Sequence, residues 1–230
     1  MLYEYNKIIE KVNPEWLPFF EENKEEFEKI LNTLNNYKDK KIYPYPKDLL
    51  RSLFYYPPNE IKVLIVGMDP YISEENNVPQ AMGLSFSVPK SYRLIPPSLK
   101  NIFKEIKNSY PDYKIPIHGS LKRWAKKEKI LLLNASLTVF EKESNSHSKL
   151  WTPFTNKLIK WFSNKNTGCV FLLMGNLAKG KEEFIDEKKH KVFVTVHPSP
   201  LSASRGFLGC NVFKDINKYL KTKGIDEIKY

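Results

Sequence analysis

Cysteine is scarce in this chain. Two in 230 residues, Cys169 and Cys210, cannot build a disulfide framework, and their wide separation matches no metal-ligand spacing. They read as reduced, buried thiols of an intracellular protein. Also missing is any apolar run near the roughly 20 residues that a membrane span needs. The N-terminus, Met1-Leu-Tyr-Glu-Tyr-Asn-Lys7, carries early charges and no apolar leader segment, which argues against secretion. There is no internal repeat, no low-complexity block and no linker long enough to separate domains. Acidic residues are in deficit, 26 against 37 basic ones, for a net charge of +11. That balance favours a polyanionic partner such as nucleic acid, although a lysine-rich surface that only keeps a protein soluble would give the same sum.

Hydrophobic residues make up 41% of the chain and aromatics 13%, enough to fill the core of one compact domain. The spacing of Trp16, Phe19, Phe20, Phe27, Ile30, Leu31 and Leu34 predicts a helix over 14–36, opened by Pro14. A proline-broken connection over 42–46 and a short helix through Leu49, Leu50 and Leu53 follow. Four short, almost purely apolar runs then read as buried strands, at 61–66, 130–133, 169–174 and 191–196. Helices are predicted around them at 98–108, 119–127, 155–163 and 210–221. This alternation implies an α/β fold with a central four-stranded, mainly parallel twisted sheet flanked by helices on both faces. It forms a single domain over 1–230, of which 1–40 is a helical N-terminal segment outside the main motifs.

Each strand ends in a polar or glycine-bearing loop: Gly67-Met-Asp-Pro-Tyr71, Asn134, Gly175-Asn176 and His197. Sites in open α/β sheets lie outside the carboxyl ends of the strands, so Asp69, Asn134, Asn176 and His197 are predicted to share one rim. The run Thr195-Val-His-Pro-Ser-Pro-Leu-Ser202 is the most distinctive. Its prolines fix φ and remove two backbone donors, leaving a rigid loop that displays an imidazole and one bare leucine. Plain structural readings exist for the same residues. Asp69 before Pro70 could open a turn, His197 and Asn134 could simply end strands, and Tyr71 and Phe86 could be core.

Taken in order, Gly67-Met-Asp-Pro-Tyr71, Gly83-Leu-Ser-Phe-Ser-Val88, Pro96-Pro-Ser98, Leu131-Leu-Leu-Asn134 and His197-Pro-Ser-Pro-Leu-Ser202 resemble the motifs of family 1 uracil-DNA glycosylases. The similarity runs from about Tyr43 to Leu220. It implies hydrolysis of the N-glycosidic bond of deoxyuridine in single- and double-stranded DNA, leaving an abasic site for base-excision repair. Asp69 would act under the sugar, and His197 would donate to uracil O2 as charge builds on the leaving base. Asn134 would read the base edge, Tyr71 would exclude the thymine methyl group, and Phe86 would stack on the ring. Met68 would serve through its backbone amide. Leu201 matches the wedge that fills the stack when the nucleotide is flipped out. Ser98, Gly175, Asn176, Ser199 and Ser202 would pinch the DNA backbone, with Arg205 and His147 near phosphates. No metal and no cofactor is implied.

Three positions depart from the pattern. Met68 stands where the family has glutamine, Ile72 where it has histidine, and Asn176 where many relatives have serine. The imidazole missing at 72 would lie near the attacking water and a phosphate, so slower turnover is expected. The implied partners are uracil-containing DNA, DNA-mimicking inhibitor proteins and replication proteins, with a monomeric chain and no membrane. The implied location is the cytoplasm of a bacterium, or the cytoplasm or nucleus of a host cell for a viral protein. A second reading is a DNA-binding replication accessory factor, for polymerase processivity, with weak or absent glycosylase activity. Asp69 and His197 together weigh against it, since binding alone needs neither.

Overall fold

The computed structural model describes residues 2–230. Its strands are β1 (Ile42–Tyr43), β2 (Val63–Gly67), β3 (Glu74–Glu75), β4 (Val78–Pro79), β5 (Ile130–Asn134), β6 (Val139–Phe140), β7 (Val170–Met174) and β8 (Lys191–Thr195). Its helices are α1 (Tyr5–Ile9), α2 (Leu17–Glu22), α3 (Lys24–Asn36), α4 (Pro97–Ser109), α5 (Lys122–Lys127), α6 (Ser148–Lys165), α7 (Asn176–Lys179) and α8 (Val212–Thr222). The central sheet has the order β5–β2–β7–β8, and every neighbouring pair is parallel. The expected four strands are therefore present, and parallel throughout rather than mainly so. β2, β5 and β7 are buried along their whole length, which is why they carry almost nothing but aliphatic side chains.

Alternate residues of these strands feed two cores. Leu64, Val66, Leu131, Leu133, Phe171 and Leu173 meet α1, α2, α3 and α6 on one face. Val63, Ile65, Ile130, Leu132, Val170 and Leu172 meet α4, α5 and α8 on the other. The first core is built on rings. Phe27 stacks on Phe154 at 5.1 Å and meets Phe20 at 5.2 Å, while Trp16 stacks on Phe162 at 5.6 Å. The N-terminal helices lie apart from the motifs in sequence, yet in space they form one layer of the domain.

Three local expectations are corrected. The helix predicted over 14–36 is broken at Asn23, whose side-chain amide donates to the Phe19 carbonyl at 2.9 Å and ends α2. α6 starts at Ser148 rather than 155 and runs through Pro153. Complete burial of Trp151 and Phe154 outweighs the one backbone bond that the proline removes. Ile42 and Tyr43 are not mere connection, because they pair antiparallel with Phe140 and Val139.

The sheet also decides where a ligand can go. β2 leads the chain to β5 on one side, and β7 leads it to β8 on the other. The crevice between the carboxyl ends of β2 and β7 is thus the topological switch point, where open α/β sheets bind ligands.

Candidate active site

A cleft of about 190 Å³ opens at that switch point. Its scale suits one ring, since an apolar cavity of about 150 Å³ accepts benzene. Asp69, Tyr71, Phe86, Asn134 and His197 all line it, together with Met68, Ile72 and Ser98. Asp69, Asn134 and His197, predicted to share one rim, do meet in the cleft, while Asn176, the fourth, does not line it.

Asp69 leaves β2 on the loop that ends it. Its Oδ2 accepts from the Ser144 hydroxyl at 2.8 Å and from the Asn145 amide at 2.6 Å. Both bonds fall on one oxygen, so the carboxylate is fixed while Oδ1 keeps its lone pairs. Met68, just before it, is held by its carbonyl, which accepts from the Ser136 amide at 2.9 Å.

His197 follows β8. The Ser199 amide donates to its Nδ1 at 3.1 Å, so that nitrogen holds a lone pair and the neutral ring carries its proton on Nε2. Burial lowers the pKa of this histidine below its ordinary value, and the negative charge of Asp69 offsets some of that effect. Gly175 makes room for the ring: its φ is +90°, and a Cβ there would stand 2.9 Å from His197 Cβ. Gly67 does the same for Asn134, because a Cβ at 67 would land on Asn134 Oδ1. The Asn134 side-chain amide has no hydrogen-bond partner among the described residues, which leaves its donor and acceptor for a ligand.

Phe86 packs against the edge of the second core without being enclosed by it. It is half-buried, sits at φ +61° in the left-handed region, and tilts towards His197 at 6.1 Å between ring centroids. A non-glycine residue there stores backbone strain that its neighbours must hold. The Tyr71 hydroxyl does so by donating to the Phe86 carbonyl at 3.1 Å. Burial pushes the Tyr71 phenol pKa up, so the donor stays protonated.

The loop after His197 is braced from α4. Asn101 Nδ2 donates to the Pro198 carbonyl at 2.8 Å, one turn beyond Ser98. Inside the loop, the Ser202 hydroxyl donates to the His197 carbonyl at 2.8 Å, and Ser199 and Ser202 join at 2.9 Å. Their amides donate to His197 Nδ1 and to the Ser199 carbonyl. The donors of both serines are therefore spent on shaping the loop in the free protein. The loop presents Leu201, which is 84% exposed. Asn176, at the start of α7, and Arg205, at the end of a 3-10 turn, are exposed outside the cleft.

His147 is a correction. Its expected place beside a phosphate is ruled out by burial, since the ring is only 3% exposed. Nδ1 pairs with the Thr138 hydroxyl at 2.8 Å, and the ring meets Phe140 edge-on at 4.2 Å. Burial brings its pKa down to about 4, so it is a neutral core residue. Three working residues escaped sequence reasoning: Ser144, Asn145 and Asn101. The only signal for the first two was the polar run 141–149 directly after an apolar stretch, the composition of a loop returning to the rim.

Fold and cleft together place the chain among α/β proteins with a ring-sized cleft at the switch point of a parallel sheet, lined here by a carboxylate and a neutral imidazole. Sequence comparison makes that class specific. The chain belongs to the Uracil DNA glycosylase superfamily, whose sequence model matches residues 53–221. It is 43% identical to the uracil-DNA glycosylase of Fusobacterium nucleatum subsp. nucleatum, over 96% of this chain and 97% of that one. The crystal structure of mimivirus uracil-DNA glycosylase superposes with a TM-score of 0.89 at 30% identity, covering 99% of this chain and 93% of that one. A variant of the mimivirus protein in complex with UGI superposes with a TM-score of 0.88 at 32% identity, covering 94% and 87%.

Proposed function

We propose that this protein excises uracil from DNA by hydrolysing the N-glycosidic bond of a flipped deoxyuridine. One observation carries the reading: Asp69 and His197 face one single-ring cleft, and His197 is fixed as a neutral donor through Nε2. As the bond lengthens, positive charge grows on the sugar and negative charge on the base. Asp69 stabilises the first and orients water, and His197 Nε2–H stabilises the second at uracil O2. Asn134 accepts from uracil N3–H and donates to O4, a pattern that cytosine meets with the wrong polarity. Phe86 supplies the stacking face, and Tyr71 occupies the space beside C5 that a thymine methyl group would need. Leu201 enters the stack that the flipped nucleotide leaves.

Met68 contributes main chain and needs no particular side chain. Ile72 packs against Tyr43, Ala81 and Val139 and brings no polar group to the cleft, which supports a slower enzyme than relatives with histidine there. The UGI complex of the mimivirus relative supports a DNA-mimicking inhibitor as a partner of this rim as well.

The test is release of uracil from an oligonucleotide, with thymine and cytosine strands as controls. Asp69→Asn and His197→Ala should each lower the rate at least a hundredfold, in line with about 2.7–4 kcal/mol for one lost transition-state contact. Wild-type rates in both variants would end the assignment. DNA binding without any release of uracil would turn the reading into that of a binding factor.

A further inference from the structure

Positive charge is concentrated in one stretch of this chain. Residues 90–129 hold eleven Lys or Arg against three Asp or Glu, eight of the net eleven positive charges. Two of those three acids are internal. Glu105 is buried and accepts from the Asn211 amide, and Glu128 is buried and paired with Arg123. The surface of this flank is therefore mainly cationic, with Asp226 and Glu227 beside Lys127 at the end of α5 its chief acidic neighbours. Lys100, Lys104 and Lys107 are exposed along α4, as are Lys122, Lys126 and Lys127 on α5, and none has a carboxylate partner among the described residues.

A groove of about 410 Å³ runs through the flank, walled by Lys90, Lys122, Lys126 and Lys127 over Trp124 and Tyr230. Ile117, 96% exposed, stands between Pro116 and His118 on its edge. The groove is joined to the rim. The Val88 amide donates to the Gly119 carbonyl at 3.0 Å, and side chains of Val88 and Pro96 pack on Gly119. Lys90 lines the groove, and Ser98, in the first turn of α4 where the same loop ends, lines the base cleft.

We propose that this flank is a second nucleic-acid surface, which takes the single strand continuing away from the flipped nucleotide. The inference rests on the uracil-excision reading for the identity of that strand. The cations are spread along two helices rather than gathered about one point. Lys100 and Lys107 alone are roughly 10 Å apart at 1.5 Å per residue. A polymer with regularly repeated charge fits such a row, and Ile117 offers an apolar edge to a base.

The experiment combines Lys122→Gln, Lys126→Gln and Lys127→Gln, all on the exposed side of α5. Two probes are used: a uracil trinucleotide that only the cleft can hold, and a long uracil-free single strand that reaches the flank. Excision from the trinucleotide should stay within twofold of the parent. Affinity for the long strand should fall roughly tenfold at low salt, and log K against log salt should become shallower by about 2, from three phosphates at about 0.7 each. An unchanged salt slope would overturn the proposal. So would a variant that loses an acidic peptide but keeps the long strand, because the flank would then be a protein-docking face. Loss of trinucleotide excision in the variant would also count against it, by showing damage to the cleft. If the parent protein itself released no uracil, the excision reading would fail, while the flank would still be judged on the uracil-free strand.

Discussion

At the scale of single residues, histidine burial sets how this protein responds to acid. His147, His190 and His197 all have pKa values lowered first by burial. For a depressed histidine the unfolded chain binds the proton first, so stability rises with pH between the folded and unfolded values. Stability should therefore decline as pH falls through 6.5, and His147 goes on contributing to that decline until about pH 4. Between pH 7 and 5 its share is roughly 2 kcal/mol, from a shift of one unit being worth about 1.4 kcal/mol. Urea denaturation at the two pH values checks this. His147→Asn should flatten the dependence, and an unchanged slope in that variant would refute the assignment. The sequence could not have shown this role. His147 lies in a polar run that reads as surface loop, and its enclosure comes from the chain folding back on Thr138 and Phe140 and from Tyr37, far away in sequence.

Among elements, the loops after β7 and β8 work as a pair. Gly175 is where they touch, and its φ of +90° and the 2.9 Å approach to His197 leave no place for a side chain. Gly175→Ala should cost roughly 1–3 kcal/mol of stability from strain and push the imidazole off its position. Excision should fall by more than a stability loss explains, with kcat reduced more than KM is raised. Normal kcat with a lower melting temperature would make Gly175 purely structural. Much of this level was legible in the sequence. Aliphatic runs that stop at Asp69, Asn134 and Gly175 marked three strand ends, because a strand buried on both faces can only become polar where it leaves the sheet. β8, expected to be buried, is a half-exposed edge strand, and the prolines after His197 marked its end. The brace from Asn101 to Pro198 was not legible, since an asparagine in a helix carries no sign of which distant carbonyl it will meet.

At the scale of the whole molecule, the N-terminal helices and the catalytic rim depend on one sheet. In the sequence, residues 1–40 are a helical segment of the domain that lies outside the main motifs. The structure makes them the cover of one sheet face, because Trp16, Phe19, Phe20 and Phe27 have no exposed surface. Phe27→Ala, which removes a ring stacked on Phe154, should destabilise the protein by about 3–5 kcal/mol. Chemical denaturation measures it, and a loss below about 1 kcal/mol would mean that these helices are not integral to the cooperative core.

The bond from the Ser199 amide to His197 Nδ1 reaches beyond geometry. A ring that acts only as a neutral donor ends each cycle as it began, with the same proton on the same nitrogen. Nothing in the imidazole has to be reset between one base and the next. The protein can leave an abasic site and meet its next lesion already armed.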